Sequence, residues 1–255
     1  MKTDSQAAAR TVLVTGASRG IGAASARLCA KAGWAVAVNY ANDSAAALSV
    51  VDSIRSAGGT ALALQADVAD VAQVKAMFEC VAAELPPLRG LVNNAGVIDV
   101  PSRVDAISAL RLQRMFAINV FGSFYCAREA VLRLSTSKGG PGGAIVNVSS
   151  AAARLGAPGQ YVDYAAAKGA IEAFTLGLAR EVATEGIRVN AVRPGIIDTD
   201  IHASGGQPDR AWQAAPLVPM QRPGSADEVA QAIVWLLSDA ASYSTGAILD
   251  VTGGR

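Results

Sequence analysis

Tyr164 and Lys168 stand four residues apart in YAAAK, and Ser149 and Ser150 close the run AIVNVSS a short distance upstream. On a helix, positions four apart share a face, so the phenol and the ammonium meet. A phenol ionises near pH 10; a neighbouring cation is expected to lower that by roughly two to three units, about 3 to 4 kcal/mol, into acid–base range. A serine hydroxyl at the strand end adds a second donor toward one developing alkoxide. Such a set suits proton transfer to or from a carbonyl oxygen. Tyr161 has Ala165, not lysine, at its own fourth position, and reads as a pocket wall.

A second chemical signal is TGASRGIG, Thr15 to Gly22, between an apolar run and a helical pattern. Gly16 permits a sharp turn, Gly20 lets phosphate approach the backbone, and Gly22 lets the helix pack closely, with Ser18, Arg19 and Ile21 completing the loop. A dinucleotide pyrophosphate fits this arrangement. The same residues also spell G-x-S-x-G around Ser18, with His202 downstream, which is the pattern of a hydrolase nucleophile elbow. That reading needs an oxyanion donor from an earlier loop, and only 17 residues precede Ser18.

These residues require a scaffold of alternating strands and helices. Short β-branched runs predict strands near Thr11–Thr15, Trp34–Asn39, Ala61–Gln65, Gly90–Asn93, Ala144–Ser149, Arg188–Arg193 and Ala247–Val251. Helical spacing predicts Gly20–Ala32, Ser44–Ala57, Val71–Glu84, Ala109–Leu134, Tyr164–Thr184 and Asp227–Ser238, with Gly33, Gly58 and Gly186 as stops. Strand–helix alternation makes a parallel α/β sheet. No linker divides the 255 residues, so a single domain is expected, with residues 1–10 as a tail. Residues 198–225, rich in Gly and Pro, read as a substrate-facing flap in which Trp212, Pro216 and Met220 line a pocket or pack on one another.

Composition narrows the partners. The chain is 51% hydrophobic and 17% charged with a net charge of +1, which argues for a globular fold and against a nucleic-acid surface. No run of eighteen apolar residues exists to cross a membrane, and the N-terminus lacks a signal-peptide core, so a cytoplasmic location is expected. Cys29, Cys80 and Cys126 have no metal-ligand spacing and read as buried thiols. The lone His202 has no partners for a metal, and none is expected.

The glycine turn, Asp67-Val68, Asn93-Asn94-Ala95-Gly96, Asn119, Ser150, Tyr164 with Lys168, and Arg193-Pro194-Gly195 with Thr199 follow one another in an order that resembles the non-extended short-chain dehydrogenase/reductase family. The resemblance spans roughly Thr11 to Gly254, and includes relatives such as 3-oxoacyl-carrier-protein reductases and sugar dehydrogenases. It implies a Rossmann-like doubly wound sheet of seven parallel strands and hydride exchange between a nicotinamide cofactor and a small carbonyl or alcohol substrate. Tyr164 is then the general acid/base, Ser150 polarises the carbonyl, Lys168 holds the ribose and lowers the Tyr164 pKa, and Asn119 supports a proton-relay water. Asp67 and Val68 flank the adenine; Asn93, Ala95 and Gly96 shape the site; Pro194, Gly195, Ile197 and Thr199 hold the nicotinamide end. One departure stands out: Ser150 lies one position further from Tyr164 than is usual, which places an extra residue within Pro158–Asp163 and leaves Ala151 at the usual offset.

At the end of the second strand the family's NAD-preferring members carry an acid; here the strand ends Val38-Asn39-Tyr40. With Arg19 able to meet a 2′-phosphate, NADP(H) is the expected cofactor, with Asn39 and Tyr40 at the ribose. Asp43 keeps NAD(H) possible. A homotetramer is implied, with contacts on the apolar faces of Ala109–Leu134 and Tyr164–Thr184. The competing classes are a non-catalytic dinucleotide-binding sensor and the Ser18 hydrolase.

Overall fold

A computed structural model describes residues 10–255; most of the expected tail lies outside them. The strands are β1 (Thr11–Val14), β2 (Ala35–Tyr40), β3 (Ala61–Gln65), β4 (Leu88–Asn93), β5 (Gly143–Val148), β6 (Ile187–Pro194) and β7 (Ile248–Val251). They form one sheet in the order β3-β2-β1-β4-β5-β6-β7, and every pairing is parallel. The major helices are α1 (Gly20–Lys31), α2 (Ser44–Ser56), α3 (Val71–Glu84), α4 (Ala109–Phe116), α5 (Gly122–Leu134), α7 (Val162–Val182) and α10 (Ala226–Leu237), with short helices α6 (Ala152–Leu155), α8 (Ile201–Ser204) and α9 (Arg210–Gln213) between them.

Strand alternation explains the two layers. Val12, Val14, Val36, Val38 and Val146 face one way, onto α1, α2 and α10, where Cys29, Val51, Ile54, Ile233 and Leu236 pack. Leu13, Ala37, Leu91, Ile145 and Val189 face the other way, onto α3, α5 and α7 with Phe78, Cys126, Ala130 and Val182. Both faces being covered, β1 is buried throughout, as parallel sheets require. Each large side chain buried this way contributes about 1.5–3 kcal/mol. Chain order reverses between β1 and β4, and the crevice beyond their carboxyl ends is where a doubly wound sheet binds ligands.

Gly33, Gly58 and Gly186 take left-handed φ values of 84°, 84° and 72°, as helix stops do. Cys29 and Cys126 are buried and Cys80 partly so, all as free thiols, and burial pushes the first two up to about 12. One expected helix is not continuous. Between α4 and α5 the residues Ala117–Phe121 form a π turn around Asn119. The Asn119 Nδ2 donates to the Met115 carbonyl at 2.9 Å and the Val97 carbonyl at 3.0 Å, while its Oδ1 accepts from the Val97 N–H at 3.1 Å. A buried amide that bridges helix and neighbouring loop competes with the helical ladder, and the ladder widens there. The expected flap is not structureless either: α8, α9 and a 3₁₀ turn at Ala215–Leu217 occupy it.

Candidate active site

The glycine-rich turn is held from three sides. Asn39 Oδ1 accepts from the Gly16 N–H at 3.1 Å, and its Nδ2 donates to the carbonyls of Ala66 at 3.0 Å and Leu64 at 3.3 Å. Asn94 Nδ2 donates to the carbonyls of Thr15 at 2.9 Å and Gly16 at 3.0 Å. The Thr15 hydroxyl accepts from Asn94 and Ala95 N–H, both at 3.0 Å. A Cβ on Gly16, whose φ is +59°, would stand 2.9 Å from the Ala95 Cα; one on Gly22 would stand 2.5 Å from Asn94 Nδ2. Only glycine fits these approaches.

Helices α2, α3, α4 and α10 begin with side-chain caps from Asp43, Asp70, Ser108 and Ser225, whereas Arg19 provides no side-chain cap to α1. The first-turn N–H groups of α1 therefore remain available to an anion, which the N-terminal end of the helix dipole also favours. Arg19 itself is exposed beside them. These features fit a pyrophosphate.

Two expected contacts change. Asn39 is buried, and its amide is spent on the turn and on β3, so it does not present itself to a ribose; Tyr40 beside it is half-exposed. Asn93 is likewise buried: its Nδ2 donates to Asn147 Oδ1 at 2.9 Å, and Asn147 donates to Thr175 Oγ1 at 2.9 Å, a seam joining β4, β5 and α7. Asp43 is exposed, and one of its carboxylate oxygens accepts from the Ala46 N–H at 2.9 Å to cap α2. Asp67 is exposed and accepts from the Ala69 N–H, while Val68 is buried under Gly122.

A cavity of about 480 Å³ opens at the carboxyl ends of the central strands. Ser150, Tyr164, Lys168, Gly96, Ile21, Pro194, Gly195, Ile197 and Thr199 line it, so the structure brings these expected site residues together. The Ser150 Oγ accepts from the Ala152 N–H at 3.2 Å, which leaves its O–H to donate. Ser149 also borders the cavity, but its hydroxyl is engaged, donating to Glu172 Oε1 at 2.8 Å. In the loop to Tyr164, Gly156, Ala157 and Gly159 take left-handed φ values, and Ala157, at φ 43°, stores strain of about 1–3 kcal/mol beside the site. Ala151 is buried, its N–H donating to the Pro194 carbonyl, and presents no hydroxyl.

Lys168 Nζ donates to the Val148 carbonyl at 2.8 Å and lies 5.6 Å from the Tyr164 ring centroid. A Cβ on Gly96 would stand 2.7 Å from Asn119 Oδ1 and 3.5 Å from Lys168 Nζ, so the Asn119 side chain, the β4 loop and the lysine meet at one point. The expected lowering of the Tyr164 pKa is corrected. Burial pushes the phenol up to about 12 against the lowering effect of a Ser150 hydrogen bond, and the same burial brings the Lys168 ammonium down to about 8. Lys168 is buried and Tyr164 half-buried, and for each the loss of solvent around the charged form is the largest effect.

His202 also lines the cavity, with Nε2 on the Ile197 carbonyl at 3.0 Å and a buried Nδ1 that has no partner among the described residues. Ser18 does not line it, so the nucleophile and base of a hydrolase are not assembled. Trp212 and Met220 are exposed outside the cavity; the Trp212 indole donates to Asp198 Oδ2 at 3.1 Å. Among the described residues no cluster of metal-ligating side chains occurs.

A family model described as Enoyl-(Acyl carrier protein) reductase matches residues 16–255. The chain belongs to the short-chain dehydrogenase/reductase family. It is 56% identical over 243 residues to the uncharacterized oxidoreductase YgfF of Escherichia coli (strain K12), covering 95% of this chain and 98% of that one. It is 37% identical over 248 residues to the 3-oxoacyl-[acyl-carrier-protein] reductase FabG of Staphylococcus aureus (strain Mu50), covering 96% and 97%. Among solved structures it resembles a blue fluorescent protein from a metagenomic library in complex with NADPH, with a TM-score of 0.88, 32% identity and coverage of 98% and 99%. The protein is thus an oxidoreductase of this short-chain family. Sequence reasoning named Asn94 and Arg193 only within motifs and gave Thr15 and Glu172 no role; the Asn-Asn doublet was the one available signal for Asn94.

Proposed function

We propose that this short-chain oxidoreductase exchanges a hydride between NADP(H) and a small carbonyl or secondary alcohol, with Ser150, Tyr164, Lys168 and Asn119 as its catalytic set. The observation that carries the reading is the convergence of Ser150, Tyr164 and Lys168 on one cavity at the switch point of the sheet. The glycine turn and the N-terminus of α1 hold the pyrophosphate, Asp67 and Val68 lie toward the adenine, and Thr199, Ile197, Gly195 and Pro194 hold the nicotinamide end. When bound, the nicotinamide supplies or accepts the hydride. Ser150 donates to the substrate oxygen, and Tyr164 gives that oxygen its proton on reduction or takes it on oxidation. The neighbouring Lys168 charge favours the phenolate as the proton leaves. Asn119 fixes Val97 beside Gly96, and its part in this reading is to support a proton-relay water at the π turn.

Two features support the phosphorylated cofactor: an exposed Arg19 at the turn and an Asn39 spent on structure. NAD(H) is the weaker ligand. The reading extends to a single-domain chain that assembles as a cytoplasmic homotetramer. On α5, α7 and the π turn before α5, the exposed Phe124, stacked on Phe174 at 3.8 Å, with Phe121, Leu132 and Leu176, supplies an apolar face for such contacts. No described helix is long and apolar enough to cross a membrane. Parallel titrations with NADPH and NADH, followed by nicotinamide fluorescence, test the reading: tighter NADPH binding is expected, tighter NADH binding overturns the preference, and binding of neither overturns the reading.

A further inference from the structure

We infer that the substrate of this cavity is a carbonyl compound bearing a carboxylate, and that Arg210 binds that carboxylate. The inference rests on the oxidoreductase reading above and adds the substrate class. Arg210, the first residue of α9, lines the cavity. Its Nη1 donates to Gln207 Oε1 at 2.9 Å, its Nη2 donates to Gln160 Oε1 at 2.8 Å, and its guanidinium carbon lies 5.0 Å from the centroid of the Tyr161 ring. The Tyr161 hydroxyl donates to the same Gln207 Oε1 at 2.8 Å. The fork is therefore oriented by neutral groups alone, and three of its five N–H donors remain free of these bonds.

Other partly buried arginines are satisfied differently. Arg111 is balanced by Asp163, Arg133 by Glu129, and Arg193 by Glu172 and Asp250; Arg188 lies on the carbonyls that end α10. Among the described residues no carboxylate pairs with Arg210. Among the described residues no Asp or Glu side chain lines the cavity, whose basic residues are Lys168, Arg210, Arg255 and His202. A preorganised guanidinium in a cavity without acidic side chains attracts a planar anion, and the bidentate match is a carboxylate.

His202 does not compete for that anion. Burial pushes its ring below the ordinary value, Arg210 acting in the same direction, and a neutral ring whose Nε2–H is spent on the Ile197 carbonyl offers only an acceptor at Nδ1. Tyr161, at the start of α7, stands one helical turn ahead of Tyr164, and Ile98 and Leu155 line the same cavity. Arg210 stacks over Tyr161, one turn ahead of Tyr164, so a carboxylate on Arg210 and a carbonyl at Tyr164 share neighbouring walls of one cavity, which suits oxo acids and the matching hydroxy acids.

The test compares NADPH-dependent reduction of 3-oxobutanoate, 4-oxopentanoate and 5-oxohexanoate with reduction of their methyl esters. At least one acid is expected to exceed its ester in kcat/KM by about tenfold or more, the scale of one charge-assisted hydrogen bond, through a lower KM. In Arg210→Gln that ratio collapses to near one, and Arg210→Lys, which keeps the charge but loses the fork, retains part of it. NADPH titration of each variant verifies that it is folded, and Arg210→Lys carries the comparison where Arg210→Gln does not fold. Esters preferred by the wild type, an Arg210→Gln effect equal on acid and ester, or an NADPH-binding protein that reduces none of the acids each overturns the inference and leaves the oxidoreductase reading standing. A protein that binds neither NADPH nor NADH overturns both.

Discussion

Glu172 and Arg193 form a bidentate pair, Nε to Oε1 at 2.7 Å and Nη2 to Oε2 at 2.8 Å. Glu172 lies one turn beyond Lys168 on α7, and Arg193 immediately precedes Pro194 in β6, so the pair ties the helix of the acid–base residues to the strand end that lines the same cavity. Arg193 also donates to Asp250 Oδ1 at 2.6 Å on β7, and Glu172 accepts from Ser149. These bonds, Glu172 first, hold the Arg193 guanidinium above its ordinary value.

Glu172→Gln keeps the shape but removes the charge from this node. Hydrogen bonds to charged groups contribute about 1.5–3 kcal/mol each, so a loss of about 2–3 kcal/mol is expected in urea unfolding. Arg193→Lys is expected to lose a comparable amount, because one ammonium cannot span two carboxylates bidentately. A loss below about 0.5 kcal/mol in both variants counts against the node.

Asn39→Asp is the substitution that sequence logic alone selects to favour NAD(H). In the structure it sets a carboxylate against the carbonyls of Leu64 and Ala66, which now accept from the Asn39 amide. The expected outcome is a loss of about 2–3 kcal/mol and weaker binding of both dinucleotides, with no switch in preference. Unfolding curves and the two titrations decide it; a stable variant with NADH preferred refutes the assignment.

Tyr164→Phe removes the acidic hydroxyl without emptying the space it fills. Turnover is expected to fall by roughly 100-fold or more while NADPH affinity stays within about twofold, as loss of one general acid predicts. Steady-state rates beside fluorescence titrations measure the split, and unchanged turnover removes Tyr164 from the mechanism.

Stability should bend with pH in two opposed windows. The Tyr164 phenol, raised from 10.0 to about 12, keeps its proton in the folded state where the unfolded chain has lost it, so its contribution declines as pH rises through that interval. The Lys168 ammonium, lowered from 10.5 to about 8, is shed first by the folded state, so stability gains with pH between those values. Relative to the wild type, Tyr164→Phe should therefore gain stability above about pH 10, and Lys168→Met should lose it from about pH 8 to 10. Urea midpoints in a pH series read both slopes, and parallel curves contradict them.

The sequence alone determined the strand–helix alternation, the glycine turn and the Tyr164–Lys168 face, because each is a local pattern with a fixed period or a steric requirement at one residue. All seven strands appear close to where that pattern placed them, with boundaries moved by a few residues. The family order of motifs added Ser150, Gly96 and Thr199, and the fold brings them to one cavity.

What only the tertiary structure decided is where each polar group is spent. Asn39 and Asn93 look like site residues by position, yet their amides satisfy carbonyls and side chains on neighbouring strands. Asn119 widens its helix because Val97 lies within hydrogen-bonding reach, and the Tyr164 phenol rises because the fold buries it. Glu172 with Arg193 and Arg210 with Gln160 join residues far apart in the chain. Hydrogen-bond partners and desolvation depend on which distant segments pack together, and a single sequence read in local windows carries no record of that packing.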